Sequence, residues 1–233
     1  MAISLPPGAL FPDSVAQRRG MVERQVRTFD VYDQVVISAL LAVPREVFVT
    51  PEQKPLAYSD VMLHVPGQSG PDARWMFPPL VLARMMQAAA PGPQDRVLDV
   101  AGGTGYSAAL FATLTRGVVA LESDRALTDA AQTHFSALGV ENAQALHGSL
   151  REGAPGLGPF DIVFVNGCVE THFETLASQL ASGGRMIAVM PKASGTLQAV
   201  AIEGRVDELS FRPLFDTAAP RLDEFKRAPA FVF

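Results

Sequence analysis

Cysteine occurs once in the 233 residues, at Cys168, and tryptophan once, at Trp75. A single thiol excludes an intrachain disulfide and a cysteine-built zinc site, and it fits a reducing compartment. Charge is sparse as well: 18% of residues are charged and the mean hydropathy is +0.18. A disordered chain needs the opposite balance, so that class is excluded. No basic run exceeds Arg18-Arg19, and the net charge is −5. A phosphate backbone would find nothing to follow, so nucleic acid is not an expected partner. The most apolar run, Val35 to Val43, is about half of the ~20 residues a membrane span needs. The start, Met1-Ala-Ile-Ser-Leu-Pro-Pro-Gly8, lacks the basic residues and continuous apolar stretch of a signal peptide. A cytoplasmic protein without a membrane partner is expected.

What is abundant is apolar: 48% of residues are hydrophobic. A chain of this length can bury about 70–75% of its unfolded surface in one large core. Two regimes divide it. Residues 1–94 read as helical, interrupted by prolines: a helix from Asp13 or Ser14 to about Phe29, and another from Asp33 to just before Pro44. An irregular Thr50–Asp72 follows, then a helix from Pro79 to Ala90. Residues 95–233 alternate strands with helices. Strands are predicted at Arg96–Val100, Gly117–Glu122, Ala143–His147, Phe160–Val165 and Arg185–Met190. Helices are predicted at Tyr106–Leu114, Asp124–Leu138 (ended by Gly139) and Glu170–Ala181. Such alternation implies crossover units and a parallel sheet covered on both faces. Thr196–Ile202 and Glu208–Leu214 have no helix between them and predict an antiparallel hairpin. The expected fold is α/β: a seven-stranded, mostly parallel, doubly wound sheet with a C-terminal hairpin and a helical N-terminal segment.

Between the first strand and its helix lies Val97-Leu-Asp99-Val-Ala101-Gly102-Gly103-Thr-Gly105-Tyr106. Glycines in such a turn allow positive φ and close approach of a ligand to the backbone. The following helix is expected to aim N–H groups into the same crevice. Seventeen residues past Gly105, Glu122 ends the next strand, where a carboxylate can accept from both ribose hydroxyls of a nucleoside. An adenosine-type cofactor is expected. These residues fit a dinucleotide fingerprint and also the Asp-x-Gly-x-Gly-x-Gly turn of S-adenosylmethionine methyltransferases, with Ala101 at the first glycine. The late start of the unit and the terminal hairpin lean toward a methyltransferase.

The chain resembles the protein-L-isoaspartate O-methyltransferase family over nearly its whole length. The resemblance runs through Met21-Val-Glu-Arg-Gln-Val-Arg27, Val43-Pro-Arg-Glu-Val-Phe-Val49, Ala57-Tyr-Ser-Asp60, the glycine turn and Val119-Ala-Leu-Glu122. It continues through His147-Gly-Ser-Leu-Arg-Glu-Gly153, Phe160-Asp-Ile-Val-Phe-Val-Asn166 and Gln179-Leu-Ala-Ser-Gly-Gly184. It implies a class I methyltransferase fold, with 1–94 as a substrate-side segment and 95–233 as a Rossmann-like S-adenosylmethionine domain. The implied cofactor residues are Asp99, Ala101, Gly103, Gly105, Tyr106, Glu122, Ser149, Leu150 and Asn166. S-adenosylhomocysteine is the implied product. The implied reaction moves a methyl to the α-carboxylate of L-isoaspartyl residues in damaged proteins, which then re-close through a succinimide. A carboxylate is already ionised at neutral pH, so the protein's task is orientation, which can supply about 7–11 kcal/mol.

The substrate side departs from the family. Where a Gly-Gln-Thr-Ile-Ser-Gln-Pro-like segment is usual, this chain has Gly67-Gln-Ser69, extra residues, and Arg74-Trp-Met-Phe-Pro78. Aligning Pro78 puts Met76 at the serine and Phe77 at the glutamine, while Ser149 replaces a usual Asp. Met76, Phe77 and Pro78 are therefore expected on the substrate side, as a pocket lining or as an apolar plug. Three functions stay open: the family reaction, transfer to a changed acceptor, and cofactor binding without catalysis. A dehydrogenase is a distant fourth. No catalytic residue is assigned and no metal is expected. His147 is expected to be structural, His134 and His172 exposed on helices, Cys168 a packing residue, and Ala228–Phe233 a docked edge strand or a self-association surface.

Overall fold

A computed structural model describes residues 14–65 and 73–227. The first thirteen residues, Gly67-Gln-Ser69 and the Ala228–Phe233 segment lie outside the described residues. Seven strands form the main sheet: β3 (Arg96–Val100), β4 (Gly117–Glu122), β5 (Ala143–His147), β6 (Phe160–Cys168), β7 (Leu180–Pro191), β8 (Leu197–Arg205) and β9 (Glu208–Asp216). Their order is β5-β4-β3-β6-β7-β8-β9. The first five run parallel, while β8 is antiparallel to both its neighbours. The chain moves outward from β3 to β5 and then returns to β6 on the other side of β3. That reversal opens a crevice at the carboxyl ends of β3 and β6, where open α/β sheets bind ligands.

Period-two patterning builds the two faces. On β6, Ile162 and Phe164 enter one apolar cluster, while Phe160, Val163 and Val165 enter the other. The first cluster also takes Val22, Val36 and Leu40 from the N-terminal segment, with Leu82 and Met86 from α3 (Pro79–Ala89). One continuous core thus joins that segment to the sheet.

Helix α1 (Ser14–Met21) passes into a π-helical turn at Val22–Val26, so the predicted helix to Phe29 ends early. Helix α2 (Gln34–Ala42) is capped by the Asp33 side chain, which accepts from the Val35 amide at 2.8 Å. It stops at Val43, held extended (ψ 120°) before Pro44. The stretch expected to be irregular contains a 3-10 helix (Pro51–Leu56) and a strand, β1 (Leu63–His64), paired antiparallel with β2 (Trp75–Met76). Helices α4 (Tyr106–Ala112) and α5 (Arg125–Ala137) match their predicted places, although α4 is two residues shorter.

The predicted helix Glu170–Ala181 is the main correction: only α6 (Glu174–Ala177) forms. The amides of Glu170 and Thr171 bond the Phe225 carbonyl instead, and His172 sits exposed at φ 63°, outside any helix. Strand β7 begins five residues early, with a register break against β6 between Phe160 and Ile162. Among the described residues, no helix is long and apolar enough to cross a membrane.

Candidate functional site

Asp99 comes up on β3, facing α4. It is fully buried, and its carboxylate accepts from Ser107 Oγ at 2.8 Å and from Asn166 Nδ2 at 2.8 Å. Asn166, on β6, also donates to the Val100 carbonyl at 3.1 Å. Asp99 therefore ties β3, β6 and α4 together at the point where the strand order reverses. Burial pushes its pKa up to about 7, against the pull of the Asn166 and Ser107 hydrogen bonds.

The turn after β3 uses its glycines for the protein's own packing. A Cβ on Gly102 would meet Asp99 Oδ2 at 2.3 Å, and one on Gly105 would meet the Phe135 ring at 2.8 Å. Gly103 faces the Val65 side chain, 3.0 Å from where a Cβ would stand. Gly103 and Gly105 have φ of 63° and 95°. Ala101 is also left-handed, at φ 58°, which costs an L-residue roughly 1–2 kcal/mol. Tyr106 points away from the crevice into the core, under the Arg45 guanidinium (4.9 Å to the ring centroid) and against Phe48.

Glu122 ends β4 with only 2% of its surface exposed. One carboxylate oxygen accepts from the Gly103 amide at 2.7 Å. The other accepts from Arg74 Nε at 3.2 Å and from the Ser123 amide at 3.2 Å. Arg74, equally buried, also donates to Ser123 Oγ and to Glu224 at 2.7 Å. Burial raises the Glu122 pKa, and Arg74 opposes that rise. Burial would raise Glu224 too, but Arg74 and Ser123 bring it below the ordinary carboxylate range. Loop 148–150 lies alongside, since the Gly148 amide bonds the Glu122 carbonyl at 2.9 Å. Ser149 there is exposed and Leu150 is buried in the core.

Met76 and Phe77 are both buried in the apolar cluster, at 8% and 2% exposure, while Pro78 is half-buried. The Phe77 carbonyl accepts from Arg45 Nη2 at 2.7 Å, which fixes this stretch to the Val43–Val49 motif. Trp75 is exposed and stacks edge-on against His64. Neither Met76 nor Phe77 offers a hydrogen-bond donor from its side chain. His134 is half-buried rather than exposed, against the Thr104 carbonyl and the Phe48 ring. His147 is exposed at the end of β5. Burial raises the Cys168 thiol to about 11, so it is a packing group at neutral pH. Among the described residues, no group of three His, Cys, Asp or Glu could hold a metal ion.

The structure thus gathers Asp99, Asn166, Gly103, Glu122 and the 148–150 loop at one crevice. Sequence reasoning missed Arg74 and Glu224. Arg74, a cation between Ala73 and Trp75-Met-Phe, carried a usable clue; Glu224, at least 100 residues from Ser123 and Arg74, carried none.

Residues 17–211 match the family model described as protein-L-isoaspartate(D-aspartate) O-methyltransferase. A protein-L-isoaspartate O-methyltransferase of Koribacter versatilis is 35% identical over 207 residues, 84% of this chain and 90% of the relative. Another, from Burkholderia ambifaria, is 33% identical over 220 residues, 90% of this chain and 69% of the relative. A solved protein-L-isoaspartate O-methyltransferase superposes with a TM-score of 0.75 at 28% identity, over 87% of this chain; the match spans 64% of that longer chain. A Plasmodium falciparum structure titled as a complex with S-adenosyl-L-homocysteine gives a TM-score of 0.73 over 91% of this chain and 98% of its own. At 19% identity it supports the fold alone.

Proposed function

Since this chain belongs to the protein-L-isoaspartate(D-aspartate) O-methyltransferase family, whose members use S-adenosylmethionine, we propose that it methylates the α-carboxylate of L-isoaspartyl residues in proteins. The observation that carries the reading is Glu122: a buried carboxylate at the end of β4, 2.7 Å from the Gly103 amide, one strand from the switch point of the sheet.

The residues fit the donor in kind. Glu122 supplies paired acceptors for ribose hydroxyls, and a carboxylate offers about four acceptor positions. Asp99 and Asn166 fix the loop that carries Gly103, and loop 148–150 flanks Glu122 where an adenine would be recognised. When bound, S-adenosylmethionine supplies an electrophilic methyl on a sulfonium. The acceptor carboxylate is ionised at neutral pH, so this chain needs no general base. Met76 and Phe77, buried in the core, offer the acceptor no side-chain hydrogen-bond donor. The backbone of the 73–78 stretch, held by Arg45 at the Phe77 carbonyl, is what remains to orient the acceptor.

Calorimetry with S-adenosylhomocysteine tests the assignment. Glu122→Ala weakens binding by about 1–3 kcal/mol, as expected for ribose hydroxyls left without an acceptor. Unchanged affinity removes Glu122 from the site. A second reading, transfer to a different acceptor, is favoured by the burial of Met76, the residue that aligning Pro78 sets at the family's serine. It predicts that the protein labels another lysate component while leaving isoaspartyl peptides untouched.

A further inference from the structure

Two side chains that flank the β1–β2 ribbon lie on the two groups of the crevice that a nucleoside would meet. Val65 covers Gly103, and Arg74 is bonded to Glu122. The two residues are tied to each other, for the Val65 amide donates to the Arg74 carbonyl at 2.8 Å. Arg74 is held from the far side as well, by Ser123 Oγ at 2.8 Å and Glu224 at 2.7 Å. Glu224 is itself fastened by Ser123 Oγ at 2.7 Å. Of the roughly four acceptor positions on the Glu122 carboxylate, three are taken, by Gly103, Arg74 and Ser123. Two ribose hydroxyls need two positions. They cannot both be served while Arg74 stays.

We propose that Arg74 is a built-in competitor for the ribose acceptor, so that binding of the methyl donor displaces it from Glu122 and frees the ribbon that leads into Trp75 and Met76. The inference rests on the S-adenosylmethionine reading above and adds its regulation. The guanidinium closes the crevice in the free protein and protects Glu122 from being buried without a counter-charge. Ribose hydroxyls take over the acceptor when the nucleoside arrives, and Arg74 keeps Glu224 as its partner. Because Arg74 is adjacent to the strand that carries Trp75 and Met76, donor binding is coupled to the acceptor side of the site. A crevice closed about nine-tenths of the time lowers apparent affinity about tenfold.

S-adenosylhomocysteine affinity at pH 8 is measured for the wild type, Arg74→Gln and Glu224→Gln. Arg74→Gln is expected to bind about tenfold more tightly. Glu224→Gln, which removes the partner Arg74 keeps after displacement, is expected to bind no more tightly than the wild type. A second readout needs no stable Gln variant. The Nε–H resonance of Arg74, assigned with Arg74→Lys, is protected in the free wild type and loses that protection at saturating S-adenosylhomocysteine. Binding by the wild type with equal or weaker binding by Arg74→Gln, or a resonance that stays protected in the complex, overturns the proposal and leaves the cofactor reading standing. Binding by neither protein overturns both.

Discussion

Asp99 shows how one buried carboxylate can organise a site and leave a mark on stability. Each of its oxygens accepts a bond, one from Asn166 and one from Ser107, and burial lifts its pKa from 3.8 to about 7. An acid whose folded pKa is raised holds more protons in the folded state between the two values. Stability from this group is therefore present at low pH and lost as pH rises from about 4 to 7. Comparing denaturant melts of the wild type and Asp99→Asn isolates it. The wild type is expected to lose on the order of 2 kcal/mol relative to the variant between pH 5 and pH 8. A pH-independent difference contradicts the assignment. The sequence showed Asp99, Gly103 and Glu122 because each stands at a fixed offset along one strand–turn–strand unit. It did not show that Tyr106 points inward, since the ring's direction depends on Arg45 and Phe48, contributed by a distant segment.

At the level of elements, legibility followed locality. Strand β4, α5 and β5 were readable from their own periodicity, with the Asp124 cap and Gly139 (φ 65°) marking the ends of α5. Residues 170–181 carry helical periodicity too, yet the amides of Glu170 and Thr171 are claimed by Phe225, a partner some 50 residues away. The β1–β2 ribbon was missed for a similar reason: a two-residue strand has no period to read. Helix termination offers a test. Helix α3 ends at Ala90, a left-handed residue (φ 44°) that is exposed, with its carbonyl accepting from Arg185. Ala90→Gly removes roughly 1–2 kcal/mol of strain against an unfolded-state cost of about 0.4–1 kcal/mol, so a gain of up to about 1.6 kcal/mol is expected. Ala101 has the same backbone sign but a buried methyl worth about 0.8 kcal/mol, so Ala101→Gly is expected to be nearly neutral. Thermal melts of the two variants check the contrast, and equal shifts contradict it.

Across the whole molecule, the N-terminal helices and the sheet share one core, and the crevice is closed from both ends of the chain. Arg74 reaches it from the stretch before α3, and Glu224 from beyond the last strand. This closure, of which only Arg74 left a trace in the sequence, is what long-range folding adds to a motif that the sequence displayed plainly. On the side expected to meet the substrate, Met76 and Phe77 are built into the apolar core. Orientation can supply about 7–11 kcal/mol in a transfer to an already ionised carboxylate, so turnover is expected without a side-chain hydroxyl from Met76 or Phe77. The most direct measurement is transfer of labelled methyl from S-adenosylmethionine to an isoaspartyl peptide, beside the matching aspartyl peptide. Base-labile label on the isoaspartyl peptide alone is the predicted result. A folded protein that binds S-adenosylhomocysteine and labels neither peptide contradicts it.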